Sequence, residues 1–161
     1  MIRVSIGDVR EHSMQVGEHE QPGCLVLLEE EGGGDHLIPI WIGMTEARTL
    51  VSGLKGIAFP RPLMHDLTAE LIHQLGAELT EVRITDWRDQ TFYAVLAVRG
   101  NGQIHELDCR PSDGMCLAVR AGAPIVVTEE LMARVGQNKP EALTGVGIEE
   151  IAAQIETSLS C

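Results

Sequence analysis

Apolar positions recur along this chain with two different periods, and the changes between them divide it into elements. Over residues 1 to 10, Ile2, Val4 and Ile6 alternate with polar neighbours, the pattern of a half-buried strand. Residues 24 to 30 (CLVLLEE) and 36 to 42 (HLIPIWI) predict two arms of a hairpin closed by Gly32-Gly33-Gly34-Asp35. Pro39 has no amide to donate, so its arm is expected at a sheet edge or a bulge. From Thr45 to Lys55 the period lengthens. Ala47, Leu50, Val51 and Leu54 share a helical face, Thr45 is expected as the N-cap, and Gly56 ends the helix. A second helix is expected from His65 or Asp66 to Leu75. It would bury Leu67, Leu71, Ile72 and Leu75, with Gly76 in the left-handed position beyond it.

Residues 79 to 87 return to strand periodicity, and the unbroken apolar run TFYAVLAVR at 91 to 99 predicts a central strand buried on both faces. Gly100-Asn101-Gly102 predicts a tight turn into a partner strand at 103 to 109. The next helix is nearly all apolar at 115 to 119, which predicts a central buried element closed by Gly122. A short strand is expected at 124 to 127, and Thr128 should cap a short acidic helix. Past Gly136 the chain becomes polar. It then shows a last amphipathic stretch, Ile148, Ile151, Ile155 and Leu159, whose stripe needs cover from this domain or another copy. These elements predict an α+β fold, a mixed but mostly antiparallel sheet with helices packed against it. Residues 1–135 are expected as the domain and 136–161 as a linker and helical tail.

Composition narrows the function classes. The chain of 161 residues is 44% hydrophobic but only 3% aromatic, so the core is aliphatic and no ladder for stacking single-stranded bases exists. A net charge of -12 argues against binding of nucleic acid by broad counterion release. The charge is uneven: residues 56 to 127 carry six basic and nine acidic side chains, for -3, against -5 before and -4 after them. Local arginines there can still hold a phosphate, because charges beyond about 8 Å are screened. Only Lys55 and Lys139 are lysines, so the cationic side chains are mostly the bidentate kind. Cys24, Cys109, Cys116 and Cys161 show no metal-ligand or C-x-x-C spacing and are read as reduced thiols, Cys109 and Cys116 in the core and Cys161 exposed. With no leader and no apolar run near about 18 residues, a cytoplasmic protein without membrane contact is expected.

The candidate chemistry sits in two Arg-Pro turns, Arg61-Pro62-Leu63-Met64-His65-Asp66 and Arg110-Pro111-Ser112-Asp113. In each, proline pre-sets the helical φ and the Asp falls in the first turn, where it can accept from free amides. If both turns meet at one edge of the fold, two guanidinium groups, two carboxylates and His65 converge. Asp66 and Asp113 could then hold a metal or orient water, with His65 as general base and Arg61 and Arg110 on a phosphate. Glu46, near the start of the first helix, is a weaker candidate for the same cluster, and Mg²⁺ or Mn²⁺ is the cofactor such carboxylates would select. The structural alternative is that each Arg ties its Asp to a neighbouring element and nothing more.

The strings IPIWIGMTEA (38 to 47), FPRPLMHDL (59 to 67), TFYAVLAV (91 to 98), DCRPSDGMCLAVR (108 to 120) and APIVVTEELM (123 to 132) resemble, in this order, the bifunctional nuclease domain family. The resemblance covers about residues 1 to 135. It implies an α+β fold with a mixed sheet, usually oligomeric, found in bacteria and plants, and it implies the DNase and RNase activity for which plant members are named. Met64 departs from the Thr usual at its position, removing a hydroxyl that could cap or ligate. Two readings follow: a nuclease hydrolysing phosphodiester bonds of DNA or RNA with metal assistance, or a non-catalytic oligomeric module. A homo-oligomer, a dimer first, is expected from the edge at Pro39 and the apolar tail.

Overall fold

A computed structural model describes residues 1–141 and 144–160; Cys161 lies outside the described residues. The chain runs β1 (Ile2–Glu11), β2 (Met14–Val16), β3 (His19–Gln21), β4 (Gly23–Glu30), β5 (His36–Gly43), α1 (Met44–Lys55) and α2 (Met64–Gln74). It continues with β6 (Glu78–Arg88), β7 (Thr91–Gly100), β8 (Gln103–Cys109), α3 (Pro111–Ala121), β9 (Ile125–Val127), α4 (Glu129–Val135), β10 (Gln137–Asn138) and α5 (Ile148–Leu159).

The fold is α+β. Eight strands form one sheet in the order β10-β5-β4-β1-β9-β6-β7-β8, and β2 pairs with β3 in a separate exposed hairpin that the sequence pattern did not indicate. Two antiparallel halves are joined through the three-residue β9, which runs antiparallel to β1 and parallel to β6. All three of its residues, Ile125, Val126 and Val127, are buried, so this short strand closes the sheet by apolar burial on both faces. The β7–β8 turn carries Asn101 and Gly102 at positive φ, as the Gly-Asn-Gly sequence predicts. β7 itself is the second strand from the edge rather than a central one; only β8 lies outside it. Pro39 sits just past Leu37 and His36, the two residues of β5 that β10 pairs with, so its missing amide faces no partner strand.

Cys24, Val26 and Leu28 of β4 stand in register with Ile42, Ile40 and Ile38 of β5, and all six are buried beneath α1 with Ala47, Leu50 and Val51. α3 covers β6 and β7 through Met115, Cys116, Leu117 and Ala118, the central buried helix its composition predicts. Its approach is close. A Cβ on Gly114 would lie 2.7 Å from Val82 Cγ1 and 3.3 Å from Cys109 Sγ.

Three helix expectations change. α1 is capped by Gly43 and not Thr45, and no side chain caps it. α2 starts at Met64 with Leu63 as N-cap, so Pro62 lies before the helix, whereas Pro111 is the first residue of α3. The largest difference is that α2 has no buried residue: Leu67, Leu71 and Leu75 point outward, while Ala69 and Ile72 pack partly against the core. Two ion pairs from its first turn set this rotation, described below. The C-terminal segment does not stand apart as a free tail. Ile151, Ala152 and Ile155 of α5 are buried against α1 and β1, and Arg10 Nη1 donates to Gly145 O at 2.8 Å beside the helix start. The apolar tail stripe is therefore covered by its own domain, which removes that ground for an oligomer.

Candidate functional site

Each of α1, α2 and α3 places a carboxylate at the third residue of its first turn: Glu46, Asp66 and Asp113. That position favours a negative charge at the positive end of the helix dipole. Around α3 the three first turns are tied together by arginines and one histidine.

Arg110 is the N-cap of α3, held extended at φ -70° by the following proline. Its Nε donates to Asp113 Oδ2 at 2.7 Å and its Nη2 to Asp113 Oδ1 at 3.0 Å, a two-point pair, while Nη1 reaches Glu46 Oε1 at 3.3 Å. His65 Nε2 lies 2.9 Å from Asp113 Oδ1. A carboxylate can only accept, so Nε2 carries the proton and Nδ1 of the neutral ring is left with its lone pair. His65, Asp113, Arg110 and Glu46 thus form one chain of hydrogen bonds. The Arg110 side chain is 63% exposed and the others are 19–30% exposed, so the cluster sits at the surface with solvent on its arginine side. The Arg110 bond, with help from His65, holds the Asp113 carboxyl below the usual carboxylate range despite partial burial. Asp113 in turn secures the Arg110 charge, raising its pKa further.

Asp66 goes elsewhere. Its Oδ2 accepts from the Leu63 amide at 2.9 Å, closing the helix start, and its Oδ1 accepts from Arg120 Nε at 2.7 Å. Arg120 is only 9% exposed and also donates to Cys116 O, Thr49 O and Ser52 Oγ, which binds α2, α3 and α1 at one point. Burial pushes the Asp66 carboxyl up, but the Arg120 and Leu63 hydrogen bonds outweigh it and the pKa falls below the ordinary value. Arg120 was not marked by the sequence reading. Its signal is that it alone is charged in the otherwise apolar run from 114 to 120. Arg61 is exposed and makes no hydrogen bond or ion pair among the described residues. The structure therefore unites His65, Asp113, Arg110 and Glu46, sends Asp66 to a separate buried arginine, and leaves Arg61 free.

The Asp113 cap expectation also changes, because both its oxygens go to side chains and none to the first-turn amides. As arranged, these residues do not fit a divalent cation. Every oxygen of Asp66 and Asp113 already accepts from a cation, a histidine or an amide. Among the described residues, no group of three or more His, Cys, Asp and Glu side chains is placed to hold a metal. The thiols are equally committed: burial pushes Cys116 up to about 12 and Cys109 up to about 11, so neither is a nucleophile near neutrality. A groove of about 540 Å³ opens on the Arg120 side, lined by Asp66, His73, Thr80 and Pro124, and does not contain Arg110 or Asp113.

The site is a surface cluster of one histidine, two carboxylates and an exposed, ion-paired arginine, carried on a mixed α+β sheet. The model of the bifunctional nuclease domain matches residues 26–140, and the chain belongs to that family. An uncharacterised protein of Mycobacterium tuberculosis is 40% identical over 152 residues, 91% of this chain and 89% of its own length. Bifunctional nuclease 1 of Oryza sativa subsp. japonica is 31% identical over 113 residues, and bifunctional nuclease 1 of Arabidopsis thaliana 29%. Each plant match covers 68% of this chain, but the chain spans only about a third of the plant proteins' length. Among the described residues no helix is long and apolar enough to cross a membrane.

Proposed function

We propose that the protein is a nuclease that cleaves phosphodiester bonds of short or single-stranded nucleic acid at the His65–Asp113–Arg110 cluster. The observation that carries this reading is the His65 Nε2 bond to Asp113, which leaves Nδ1 as a base beside an exposed guanidinium. In this account Nδ1 takes the proton from an attacking water or ribose hydroxyl. The new O–P bond forms as the old one breaks, and the departing oxygen is protonated by solvent. Asp113 stabilises the imidazolium that results, as the orienting carboxylate of a histidine base does. Arg110, joined by the unpaired Arg61 if the 57–63 loop brings it near, neutralises the phosphate oxygens. Membership of a family with plant nucleases supports the substrate class.

The competing reading is the non-catalytic module, and the buried Arg120 knot favours it, since that ion pair is purely architectural. The test is cleavage of a short single-stranded RNA and its DNA counterpart by wild type and His65→Ala, with and without a chelator. The proposal expects cleavage that survives chelation and is lost in His65→Ala. Cleavage that requires added Mg²⁺ or Mn²⁺ overturns the histidine route in favour of metal assistance, and no cleavage under any condition leaves the module.

A further inference from the structure

The His65 cluster holds more carboxylate than its arginine balances. Arg110 brings one positive charge, Asp113 and Glu46 one negative charge each, and His65 none, so the four side chains sum to -1. Asp66 and Arg120, paired with one another beside it, leave that sum unchanged. Arg61 makes no ion pair with the cluster among the described residues and does not offset it. We infer that Glu46 is a charge filter, through which the cluster accepts singly charged internal phosphodiesters and rejects doubly charged terminal phosphates. The inference rests on the nuclease reading above and names the phosphate that reading requires. The first observation behind it is the number of donors left on Arg110. A guanidinium has five N–H groups. Asp113 takes two, through Nε at 2.7 Å and Nη2 at 3.0 Å, and Glu46 takes one on Nη1 at 3.3 Å. Two remain, one on each Nη, on a side chain that is 63% exposed. A phosphodiester has two non-bridging oxygens to set against them. A terminal phosphate has three, and the third finds no N–H left on Arg110. His65 offers none either, since its Nε2 proton goes to Asp113 and Nδ1 holds a lone pair.

The second observation is the balance of charge around those two donors. Glu46, His65 and Asp113 all lie in first turns, so the cluster sits where the N-terminal ends of α1, α2 and α3 meet. Each end acts as roughly half a positive charge, and three of them against the side-chain sum leave about half a positive charge. That accommodates one negative charge on a ligand and opposes a second. Glu46 is the member that sets this limit. Both oxygens of Asp113 accept hydrogen bonds from Arg110, and Oδ1 also accepts from His65. Glu46 makes the single longer bond to Nη1, and its other oxygen has no hydrogen-bond partner among the described residues, since no side chain caps α1. Its charge is therefore the less compensated of the two, and it lies beside a nitrogen that still has an N–H to give. A strand held here is met at an internal bond and is not anchored by a terminal phosphate.

The test is a titration of the full chain with dimethyl phosphate and with methyl phosphate at pH 8 and equal ionic strength, read from the His65 ring signals by nuclear magnetic resonance. Above its second pKa of about 6, methyl phosphate carries two charges and dimethyl phosphate one. Dimethyl phosphate should bind at least about 10-fold more tightly, the order of one like-charge contact in a partly exposed site. In Glu46→Gln, whose amide oxygen still accepts from Arg110 Nη1, the preference should shrink to about twofold or less. A second measurement needs no variant: added salt should narrow the wild-type preference, because the repulsion is screened. Equal binding, tighter binding of methyl phosphate, or a preference indifferent to both Glu46→Gln and salt overturns the filter and leaves the nuclease reading standing. No response of His65 to either ligand overturns both. The expected selectivity, found in a protein that cleaves no nucleic acid, keeps the filter and removes the nuclease reading.

Discussion

At the scale of single residues, two carboxylates in similar first turns do different work, and their substitutions separate the roles. Asp66 and Asp113 both have folded-state pKa values below the unfolded value of about 3.9. Their pairs therefore add stability above that pH and lose it as pH falls through the lower folded values. Asp66→Asn keeps an acceptor for the Leu63 amide but loses the charge facing Arg120. The gap in melting temperature between it and wild type should be open at pH 7 and close toward pH 3; a gap constant with pH would show that the charge is immaterial. Arg120→Ala removes donors to four partners and should cost about 3 kcal/mol in denaturant unfolding, since Cys116 O, Thr49 O and Ser52 Oγ sit in partly buried positions. The Asp113 partners were legible in part. The i,i+3 spacing makes the Arg110–Asp113 pair visible in the sequence, and the two Arg-Pro turns point to His65 and, more weakly, Glu46 joining it, but the contacts themselves span 48 and 64 residues and depend on the tertiary fold. Which arginine Asp66 would take depended on how α2 lies across α3, a tertiary fact.

Elements with strong local signals behave as their sequences predict. α3 has proline at its first position, apolar residues around it and glycine at φ 67° after it, and it forms over the expected span. α2 shows why the same reasoning fails when a helix has two possible inward faces. Its leucines define the larger apolar stripe, yet the His65–Asp113 and Asp66–Arg120 pairs turn the Ala69 and Ile72 face to the core. Periodicity reports that a stripe needs cover, not whether the same chain supplies it. α5 gives the opposite outcome, since its stripe folds back on α1. Ile155→Ala, at a fully buried position, should cost about 2 to 4 kcal/mol in denaturant unfolding, while a loss under about 0.5 kcal/mol would mean α5 contributes little to the core. Gly114→Ala tests the α3 contact with the sheet. The added methyl meets Val82, so a loss of about 1 to 3 kcal/mol and a shifted Asp113 are expected; an unchanged melt would show that α3 has room to move.

For the molecule as a whole, charge limits how nucleic acid can be held. A chain of net charge -12, with the ion-paired Arg110 at the cluster and the unpaired Arg61 four residues before His65 in the chain, neutralises about two phosphates at most. The logarithm of its affinity should then fall with the logarithm of salt at a slope of only about -1.4 to -1.8; a slope steeper than about -4 would reveal a basic surface that the fold does not display. The class of fold was legible because alternation, turns and caps are local. The order of strands was not, since β9 bridges two halves that are far apart in the chain. The central claim, that the His65–Asp113–Arg110 cluster is chemical and not only architectural, rests on one charge. The most direct measurement compares cleavage of a short single-stranded RNA by wild type and Asp113→Asn, with chelator present and both melting curves recorded. The account predicts a rate loss of about 10² to 10⁴ in the variant, with a stability loss no larger than about 1 to 3 kcal/mol. Equal cleavage by the two proteins, or the stability loss without any wild-type cleavage, would contradict it.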